Sequence, residues 1–373
     1  MRPIIKWPGG KSGELDLLLE RIPPFQRYIE PFFGGGALFF RLKPQRGLVN
    51  DISNGLMACY RLIQRQDPEL RRLLEAYDAG FAAIQDMAAA HAPALLDVYQ
   101  AAREGALTRA EIAPLADPLV EELLPSVLAA FPAPLVRDEG EFAAQLKRSL
   151  TDKVARTVRH EAKAPFGAED RLRCLVTAFA SGYYMYFRKV FNDILLSRHP
   201  APSLAYEAAN FYFVREYCYG AMFRYNGKGE FNIPYGGMSY NKKRLAPKVA
   251  LMFSGEMDKA FRGIGIHCAD FEKFLTLAIP NENDFIFLDP PYDTHFSSYD
   301  GKEFSPDDHR RLAALLRTTP AKFLLIIKNT PLIQKLYGEG FYLYPFDNSF
   351  TYNIRSRNER RAEHLLVTNY PAE

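Results

Sequence analysis

The stretch DFIFLDPPY, residues 284–292, decides the fold of this chain. Residues 284–288 are mostly apolar, aromatic or β-branched, and the run is too short for a helix, so it predicts a buried strand. Pro290 and Pro291 each lack an N–H group and have a fixed φ, so the strand must stop there. The pattern therefore predicts a rigid elbow at the carboxyl edge of a sheet, where open α/β folds bind ligands.

The elbow presents three groups that complement one another chemically. Asp289 supplies a carboxylate, Pro290 a carbonyl with no strand partner, and Tyr292 a flat ring. Two acceptors and an aromatic face suit a planar amine. Asp-Pro is also common in ordinary turns, so the alternative is a strand-to-turn junction that carries an incidental tyrosine, and the tetrapeptide alone favours a functional role over it only modestly.

Composition places the chain among ordinary globular proteins. It has 373 residues, 48% of them hydrophobic, which is enough for one main domain and an inserted one. The net charge of +3 is too small to indicate nucleic acid by itself. The four cysteines lack metal-ligand or redox spacing, so we expect reduced thiols, no metal site and a cytoplasmic location. No signal peptide or membrane-spanning run is expected, and hence no membrane partner.

A first glycine turn occupies residues 6–13, KWPGGKSG. It fails the phosphate-loop pattern, which would require glycine where Ile5 stands. The turn still carries Trp7, which could stack on a base, and Lys11, which could meet a carboxylate. A core tryptophan and a solvated lysine are the structural alternative, but so glycine-rich a loop favours a functional role.

A second glycine turn follows a short strand that ends at Glu30. Phe32, Gly34 and Gly36 lead into an apolar helix, as in the strand-to-helix turns of nucleotide sites. The spacing is not that of a dinucleotide fingerprint. Because Glu30 would repel a pyrophosphate, we predict a cationic or amine-bearing ligand.

Asp51 ends the next predicted strand, about twenty residues after the glycine turn. In α/β nucleotide sites, a carboxylate at this distance accepts hydrogen bonds from ribose hydroxyls. The alternative is an N-cap for the helix over residues 54–65, and both can hold together.

The middle of the chain has a different pattern. Residues 80–134 are Ala-rich and acidic and predict short helices broken by proline. Leu146, Leu150, Val154 and Val158 form the apolar stripe of a helix with basic faces, and a long apolar helix is predicted over residues 205–223. These features predict an inserted helical subdomain with one basic face.

Two later stretches are basic. Residues 224–237 predict a loop or hairpin, and Arg224, Asn226, Lys228 and Asn232 are side-chain types that read base edges or hold phosphate. The basic stretch continues with Lys242, Lys243, Arg244 and Lys248. Basic residues interleaved with Tyr and Phe favour nucleic acid over a solubilising patch. Arg355 and Arg357 lie in the basic connection of a predicted C-terminal β-hairpin, which we interpret as a phosphate-contacting loop.

The order of these motifs resembles that of the D12-class (Dam-like, α-group) DNA adenine N6-methyltransferases. The resemblance rests on KWPGGK at 6–11, EPFFGGG at 30–36, Asp51, RYNGKGEFNIPYG at 224–236 and DPPY at 289–292. It covers residues 1–65 and 180–370. Five motifs in order are far more specific than any one of them.

The resemblance implies a Rossmann-like α/β fold with a seven-strand methyltransferase sheet and an inserted helical DNA-recognition domain. The catalytic domain would comprise residues 1–66 and 263–373, and the target-recognition domain residues 67–262, of which 80–170 are an extra elaboration. S-adenosylmethionine would be the methyl donor and double-stranded DNA the substrate. Residues 219–223 lack an asparagine that Dam-like enzymes carry there, so a GATC target is not implied.

The resemblance also implies site residues. The cofactor positions would be Trp7, Lys11, Glu30, Phe32, Gly34, Gly36, Asp51, Asp270 and Asp289. In the implied mechanism the target adenine is flipped out of the duplex, Tyr292 stacks on it, and Asp289 and the Pro290 carbonyl accept its N6 hydrogens. Transfer then depends on positioning and electrostatics, without a metal or a covalent enzyme intermediate.

Two other functions remain compatible with the residues. One is a methyltransferase that acts on RNA or on a protein amide, since the elbow requires only a planar amine. The other is a DNA-binding protein with an inactive methyltransferase fold. For the adenine-specific enzyme we expect a cytoplasmic, nucleoid-associated protein, with a restriction or defence protein as a possible partner.

Overall fold

The computed structural model describes residues 1–11, 13–131, 135–292, 298–299, 302–348 and 362–372. It divides into two compact units, one of Met1–Arg65 with Ser254–Glu373 and the other of Gln66–Phe253. The later of the two boundaries between the units lies at 253/254, before the boundary expected at 262/263. The reason is the helix Gly255–Phe261, whose Phe261 ring packs on Phe39, Phe40 and Tyr60 of the first unit.

The elements alternate between strands and helices at both ends of the chain. The strands are β1 (Arg27–Glu30), β2 (Gly47–Asn50), β3 (Ile264–His267), β4 (Asp284–Leu288), β5 (Ser298–Tyr299), β6 (Lys302–Glu303), β7 (Lys322–Lys328), β8 (Tyr342–Asn348) and β9 (Ala362–Thr368). The helices are α1 (Leu15–Leu19), α2 (Ala37–Leu42), α3 (Asn54–Gln64), α4 (Pro68–Ala90), α5 (Ala92–Glu104), α6 (Arg109–Ala129), α7 (Glu139–Glu161), α8 (Ala168–Leu195), α9 (Leu204–Tyr217), α10 (Ala246–Met252), α11 (Gly255–Phe261), α12 (Phe271–Ala278), α13 (Pro306–Thr318) and α14 (Pro331–Tyr337).

The first unit is built on a seven-stranded sheet in the order β3-β2-β1-β4-β7-β9-β8. The first five strands in this order are parallel, and β9 runs antiparallel to both β7 and β8. The predicted α/β class, the seven-strand sheet and the C-terminal hairpin are confirmed. All five residues of β4 are buried, as expected for a central parallel strand.

The strand order reverses between β1 and β4. The chain runs outward from β1 to β2 and β3 on one side, and from β4 to β7 on the other. Crossover connections diverge at such a point and leave a crevice at the carboxyl ends of the strands. Glu30 ends β1, Asp51 follows β2 and Asp289 follows β4, so the topology brings these three carboxylates to the same edge.

One strand is shorter than expected. β3 ends at His267, whereas the stretch GIHCADF, residues 265–271, predicts a strand that continues to Asp270. Asp270 is instead the N-cap of α12, and its side chain accepts a hydrogen bond from the Glu272 N–H at 3.0 Å. This bond satisfies one of the unpaired N–H groups of the first helical turn, and the chain leaves the strand to form it.

The second unit is helical, and in two places its helices differ from the prediction. The prolines of residues 80–134 do not break α6, because Pro114, Pro118 and Pro125 lie inside it on its exposed side. On that side of the helix, water can hydrogen-bond to the carbonyls that would otherwise accept from the missing proline N–H groups. The packing of the opposite, buried face stabilises the helix. α9 ends at Tyr217 rather than at residue 223, because Cys218 turns extended and bridges to Tyr235.

Buried carboxylates hold much of the predicted basic stretch. Asp78 accepts from Arg244 Nε and Nη2 at 3.1 and 2.8 Å. Glu216 accepts from Lys243 and Lys248, each at 2.7 Å. These three cations therefore anchor the segment after the recognition stretch. Within the described part of the chain, no helix has the length and apolar character that a membrane crossing requires.

The close packing of α7 against α8 depends on Gly182. A Cβ atom at this position would lie 2.8 Å from Leu146 Cδ2 and 3.0 Å from Leu146 Cα. We predict that Gly182→Val lowers the free energy of unfolding by about 1–3 kcal/mol, the usual cost of overpacking, measured by urea denaturation followed by circular dichroism. Gly140→Ala, whose Cβ would have its nearest neighbour at 3.4 Å, is the control. Equal stability of Gly182→Val and the wild-type protein would contradict this packing.

Candidate active site

The site begins with the glycine turn after β1. Gly34 and Gly36 have positive φ values of 48° and 65°, which suit glycine far better than other residues. A Cβ atom on Gly34 would lie only 2.7 Å from Trp7 Cδ1, so the turn also needs glycine to let the Trp7 ring approach. The two predicted glycine turns are thus packed against each other.

Asp51 fastens this turn. Its Oδ2 accepts a hydrogen bond from the Gly34 N–H at 2.9 Å, and its Oδ1 accepts from the Ser53 N–H at 3.0 Å. The N-cap residue of α3 is Ser53, so the alternative interpretation of Asp51 as that N-cap is wrong. Asp51 nevertheless lines the pocket described below, as a ribose-binding carboxylate would.

Lys11 reaches the elbow at the end of β4. Its Nζ lies 2.7 Å from Asp289 Oδ1 and 2.9 Å from Asp289 Oδ2, and it also donates to the Gly9 carbonyl at 2.8 Å. The same ammonium lies 5.1 Å from the centroid of the Tyr292 ring. The expectation that Lys11 meets a carboxylate is confirmed, and that carboxylate belongs to the predicted amine-binding elbow.

Burial and pairing act in opposite directions on this ion pair. Burial raises the pKa of the Asp289 carboxyl, and the Lys11 ammonium opposes that rise. Burial would lower the pKa of Lys11, but Asp289 and Tyr292 more than compensate, and the pKa of Lys11 is raised. Lys11 therefore stays protonated and helps Asp289 to remain a carboxylate in a water-poor corner.

Glu30 is a second buried carboxyl at the same edge. It is 2% exposed and accepts a hydrogen bond from the Tyr28 hydroxyl at 2.9 Å. Burial raises the pKa of Glu30 well above its ordinary value of 4.5; the Tyr28 hydroxyl opposes this rise, and Asp289 and Asp51 add to it. A cation brought next to Glu30 would restore its charge, which agrees with the predicted cationic ligand.

Two adjoining pockets collect the predicted residues. The first is lined by Trp7–Lys11, Glu30, Phe32–Leu38, Asp51, Phe287 and Asp289–Tyr292. The second is lined by Pro31, Phe32, Asn50–Ile52, Ala269–Phe271, Pro291, Phe304 and Asp308. They share Phe32, Asp51 and Pro291. All the predicted cofactor and catalytic positions thus line one pocket or the other, with Asp270 in the second.

Three further residues shape the site but are absent from the predicted set. Asn50 cross-links strand ends: its amide donates to the Pro31 and Ala269 carbonyls and accepts from the Ala269 N–H. Phe304 and Asp308 line the second pocket. Asp308 forms a capping box with Ser305 at the start of α13, and the spacing of these two residues is the signal that could have drawn attention to it.

Four of the six predicted DNA-contact residues, Arg224, Asn226, Lys228 and Asn232, lie in the second unit. Asn226 organises a tight turn: its Oδ1 accepts from the Lys228 and Glu230 N–H groups, and its Nδ2 donates to Glu230. Arg224 Nε donates to Asn232 Oδ1 at 3.3 Å, and the side chains of Arg224 and Lys228 are exposed. Arg355 and Arg357 lie outside the residues that the structure describes.

The sheet order, the switch-point pockets and the Asp-Pro-Pro-Tyr elbow define a Rossmann-like methyltransferase. The model of the D12 class N6 adenine-specific DNA methyltransferases matches residues 7–86 and 174–360. The chain belongs to this family. The unmatched stretch between the two segments contains α5, α6 and α7.

Named relatives agree with the family. The Type II methyltransferase M1.LlaDCHI of Lactococcus lactis subsp. cremoris is 24% identical over 99% of this chain and 96% of its own length. M.MjaIII of Methanocaldococcus jannaschii is 25% identical over 99% of both chains. M.CviBI of Paramecium bursaria Chlorella virus NC1A is 31% identical over 44% of this chain, a match that spans 61% of the viral protein. Family and relatives support site-specific methylation of adenine in DNA, which requires a methyl donor.

The buried Glu30 has a testable consequence for stability. Because its folded-state pKa is raised, folding retains a proton on this carboxyl, and stability is lost as pH rises from about 4.5 through the raised value. Gln cannot ionise, so we predict that Glu30→Gln has a higher Tm than the wild-type protein and that this gain grows from pH 5 to pH 8. Thermal unfolding across this range measures it.

The control for this experiment is Glu20→Gln, because the Glu20 side chain is 74% exposed. It should leave the pH dependence of Tm unchanged. A Tm difference between Glu30→Gln and wild type that stays constant with pH would show that the Glu30 carboxyl titrates normally in the folded protein.

Proposed function

We propose that the chain binds S-adenosylmethionine in the two adjoining pockets and transfers its methyl group to N6 of an adenine flipped out of duplex DNA. The observation that carries this proposal is the corner formed by Lys11, Asp289 and Tyr292. It combines a half-buried carboxylate, a buried cation and an aromatic ring at the switch point of the sheet. Family membership supports the adenine target, and the residues of the pockets support the methyl donor.

The pockets fit S-adenosylmethionine chemically. This group supplies a methyl on a positively charged sulfur, next to an amino acid end and an adenosine end. The buried Glu30 carboxyl suits the cationic end, because a nearby positive charge relieves the cost of ionising it. Asp51 is the acceptor suited to ribose hydroxyls, and the aromatic walls and Asp270 of the second pocket suit an adenine ring. Trp7, Phe32 and the glycine turn would complete the enclosure.

The elbow would hold the target amine. Asp289 and the Pro290 carbonyl accept the two N6 hydrogens, so the lone pair of the amine is directed away from both acceptors. Tyr292 stacks on the base and fixes its plane. Lys11 keeps Asp289 ionised, which raises the electron density on N6 and makes Asp289 the acceptor for the surplus proton after transfer. Positioning and preorganised charge then supply the catalysis.

The second unit would recognise the DNA. We propose that Arg224, Lys228 and Asn232 contact bases or phosphates, while Asn226 shapes the turn that presents Lys228. Arg355 and Arg357 remain proposed phosphate contacts of the first unit. We propose a nucleoid-associated location in the cytoplasm, which a DNA substrate favours. The Type II names of two full-length relatives support a restriction protein as partner.

The function is tested by long-read mapping of N6-methyladenine in plasmid DNA from cells that express the chain. We expect methylation at one short sequence motif, and its absence from cells that carry the empty vector. Methylation restricted to RNA or protein would support the alternative substrate class, and no methylation despite S-adenosylmethionine binding would support the inactive fold.

We predict that Asp289→Asn lowers the methylation rate roughly 100-fold or more, because the preorganised charge at N6 is lost. Duplex binding should be retained, and the variant should stay folded with a lower Tm, because the buried Lys11 ammonium loses its partner. The measurement is methyl transfer to a duplex oligonucleotide that contains the mapped motif. Asp16→Asn, at an exposed acid of the same unit, is the matched control. Full activity of Asp289→Asn would exclude the proposed role of the elbow.

We also predict that Lys228→Ala weakens duplex binding and lowers the slope of log K against log salt concentration by about 1, the value for one lost phosphate contact. Fluorescence anisotropy between 50 and 200 mM salt measures it. Lys163→Ala, at an exposed lysine of the same unit, should leave the slope unchanged. An unchanged slope for Lys228→Ala would remove Lys228 from the DNA interface.

A further inference from the structure

Arg311 of α13 contacts three carboxylates, and its Nη2 atom lies near two of them, Asp270 and Glu272. Its Nε donates to Glu272, its Nη2 to Asp270 and its Nη1 to Asp308, all at 2.7 Å. Its guanidinium carbon also lies 4.8 Å from the centroid of the Phe271 ring. One planar cation therefore links the start of α12 to the start of α13.

Three of these four partners line the second pocket, namely Asp270, Phe271 and Asp308. Arg311 and Glu272 are described by the structure and do not line it. The guanidinium thus contacts the pocket wall without itself lining the pocket. Asp270 and Asp308 would repel each other without this cation.

The aromatic part of the same wall depends on this support. Phe271 packs on Phe32 at 5.6 Å and on Phe304 at 5.5 Å, measured between ring centroids. Phe32 belongs to the glycine turn and is shared by both pockets. A shift of Phe271 would therefore change the shape of the cavity as well as its charge.

The hydrogen bonds at Asp270 divide its two oxygens. Oδ1 accepts from Arg311 and from the Glu272 N–H, at 2.7 and 3.0 Å. Among the residues that the structure describes, none donates to Oδ2. Arg311 and the Glu272 N–H thus occupy one carboxylate oxygen of Asp270 and leave the other open to a further donor.

We propose that Arg311 is a positioning residue that sets the affinity for the adenosine end of the methyl donor by holding Asp270, Phe271 and Asp308 in place. The inference rests on the proposed binding of S-adenosylmethionine. Lysine cannot replace arginine here, because the three carboxylates meet three differently directed N–H groups of a rigid fork.

The test uses the intrinsic fluorescence of Trp7, the single tryptophan of the chain, which lines the first pocket. Titration of the full-length protein with S-adenosylmethionine gives Kd for wild type, Arg311→Lys and Arg311→Gln. We expect Kd and the KM for S-adenosylmethionine to rise on the order of tenfold, the loss expected for one charged hydrogen bond. At saturating donor, kcat and the KM for DNA should stay within about twofold of wild type.

Arg317→Lys is the matched control on the same helix. Arg317 donates to the Leu336 and Glu339 carbonyls and lies over the Phe341 ring, and it lines neither pocket. It should bind S-adenosylmethionine like wild type. If Arg311→Gln fails to fold, Arg311→Lys and Glu272→Gln carry the test, since Glu272 contacts the guanidinium without lining the pocket.

A double-mutant cycle with Asp270→Asn separates positioning from general destabilisation. If Arg311 acts through Asp270, the two losses will not multiply, and the double variant will bind about as well as the weaker single variant. Multiplied losses, an unchanged Kd in Arg311→Lys and Arg311→Gln, or an equal loss in Arg317→Lys would each overturn the inference. A wild-type protein that binds no S-adenosylmethionine would instead overturn the proposed function, and this inference with it.

Discussion

The ion pair between Lys11 and Asp289 is the contact on which the site depends. It joins residues that are 278 positions apart and brings the first glycine turn to the end of β4. Both side chains leave water to form it, and buried pairs of this kind contribute little net stability because the desolvation of two charges offsets their attraction. Its value is positional: it fixes a negative charge beside the Tyr292 ring in a corner that water hardly reaches.

The remaining constraints follow from the charge that this corner carries. The carboxylates of Asp51 and Asp289 and the Glu30 carboxyl, whose pKa burial raises, converge at one sheet edge, and Lys11 balances the two carboxylates only in part. Such an edge repels phosphates and attracts cations, which distinguishes it from the dinucleotide site that the same topology supports elsewhere. Asp51 has two roles at this edge, because its carboxylate accepts a hydrogen bond from the glycine turn and also lines the pocket.

Several elements of the fold and of the site could be predicted from the sequence because they depend on neighbouring residues. The strand into Asp289 and the glycine turn after Glu30 are encoded in neighbouring residues. The partners of Arg244 and Lys243 could not be found this way, because the buried Asp78 and Glu216 are distant in sequence, and charge patterns do not reveal which carboxylates face inward. The prediction that proline breaks the helices of residues 80–134 was wrong for α6 for a related reason. The free-energy cost of a proline inside a helix depends on whether water can reach the carbonyls that lose their N–H donor, and this depends on how the helix packs. The pocket residues missed from the sequence likewise lie on elements whose neighbours are set by the sheet order.

The central claim is that Lys11 keeps Asp289 ionised for its work on the target amine. The most direct measurement is the pH dependence of single-turnover methyl transfer, compared between wild type and Lys11→Met at saturating donor and DNA. Loss of the ammonium should move the acid limb of the profile upward by at least about one pH unit, because an opposite charge at this distance lowers a carboxyl pKa by 1–3 units. Superimposable acid limbs would contradict the claim.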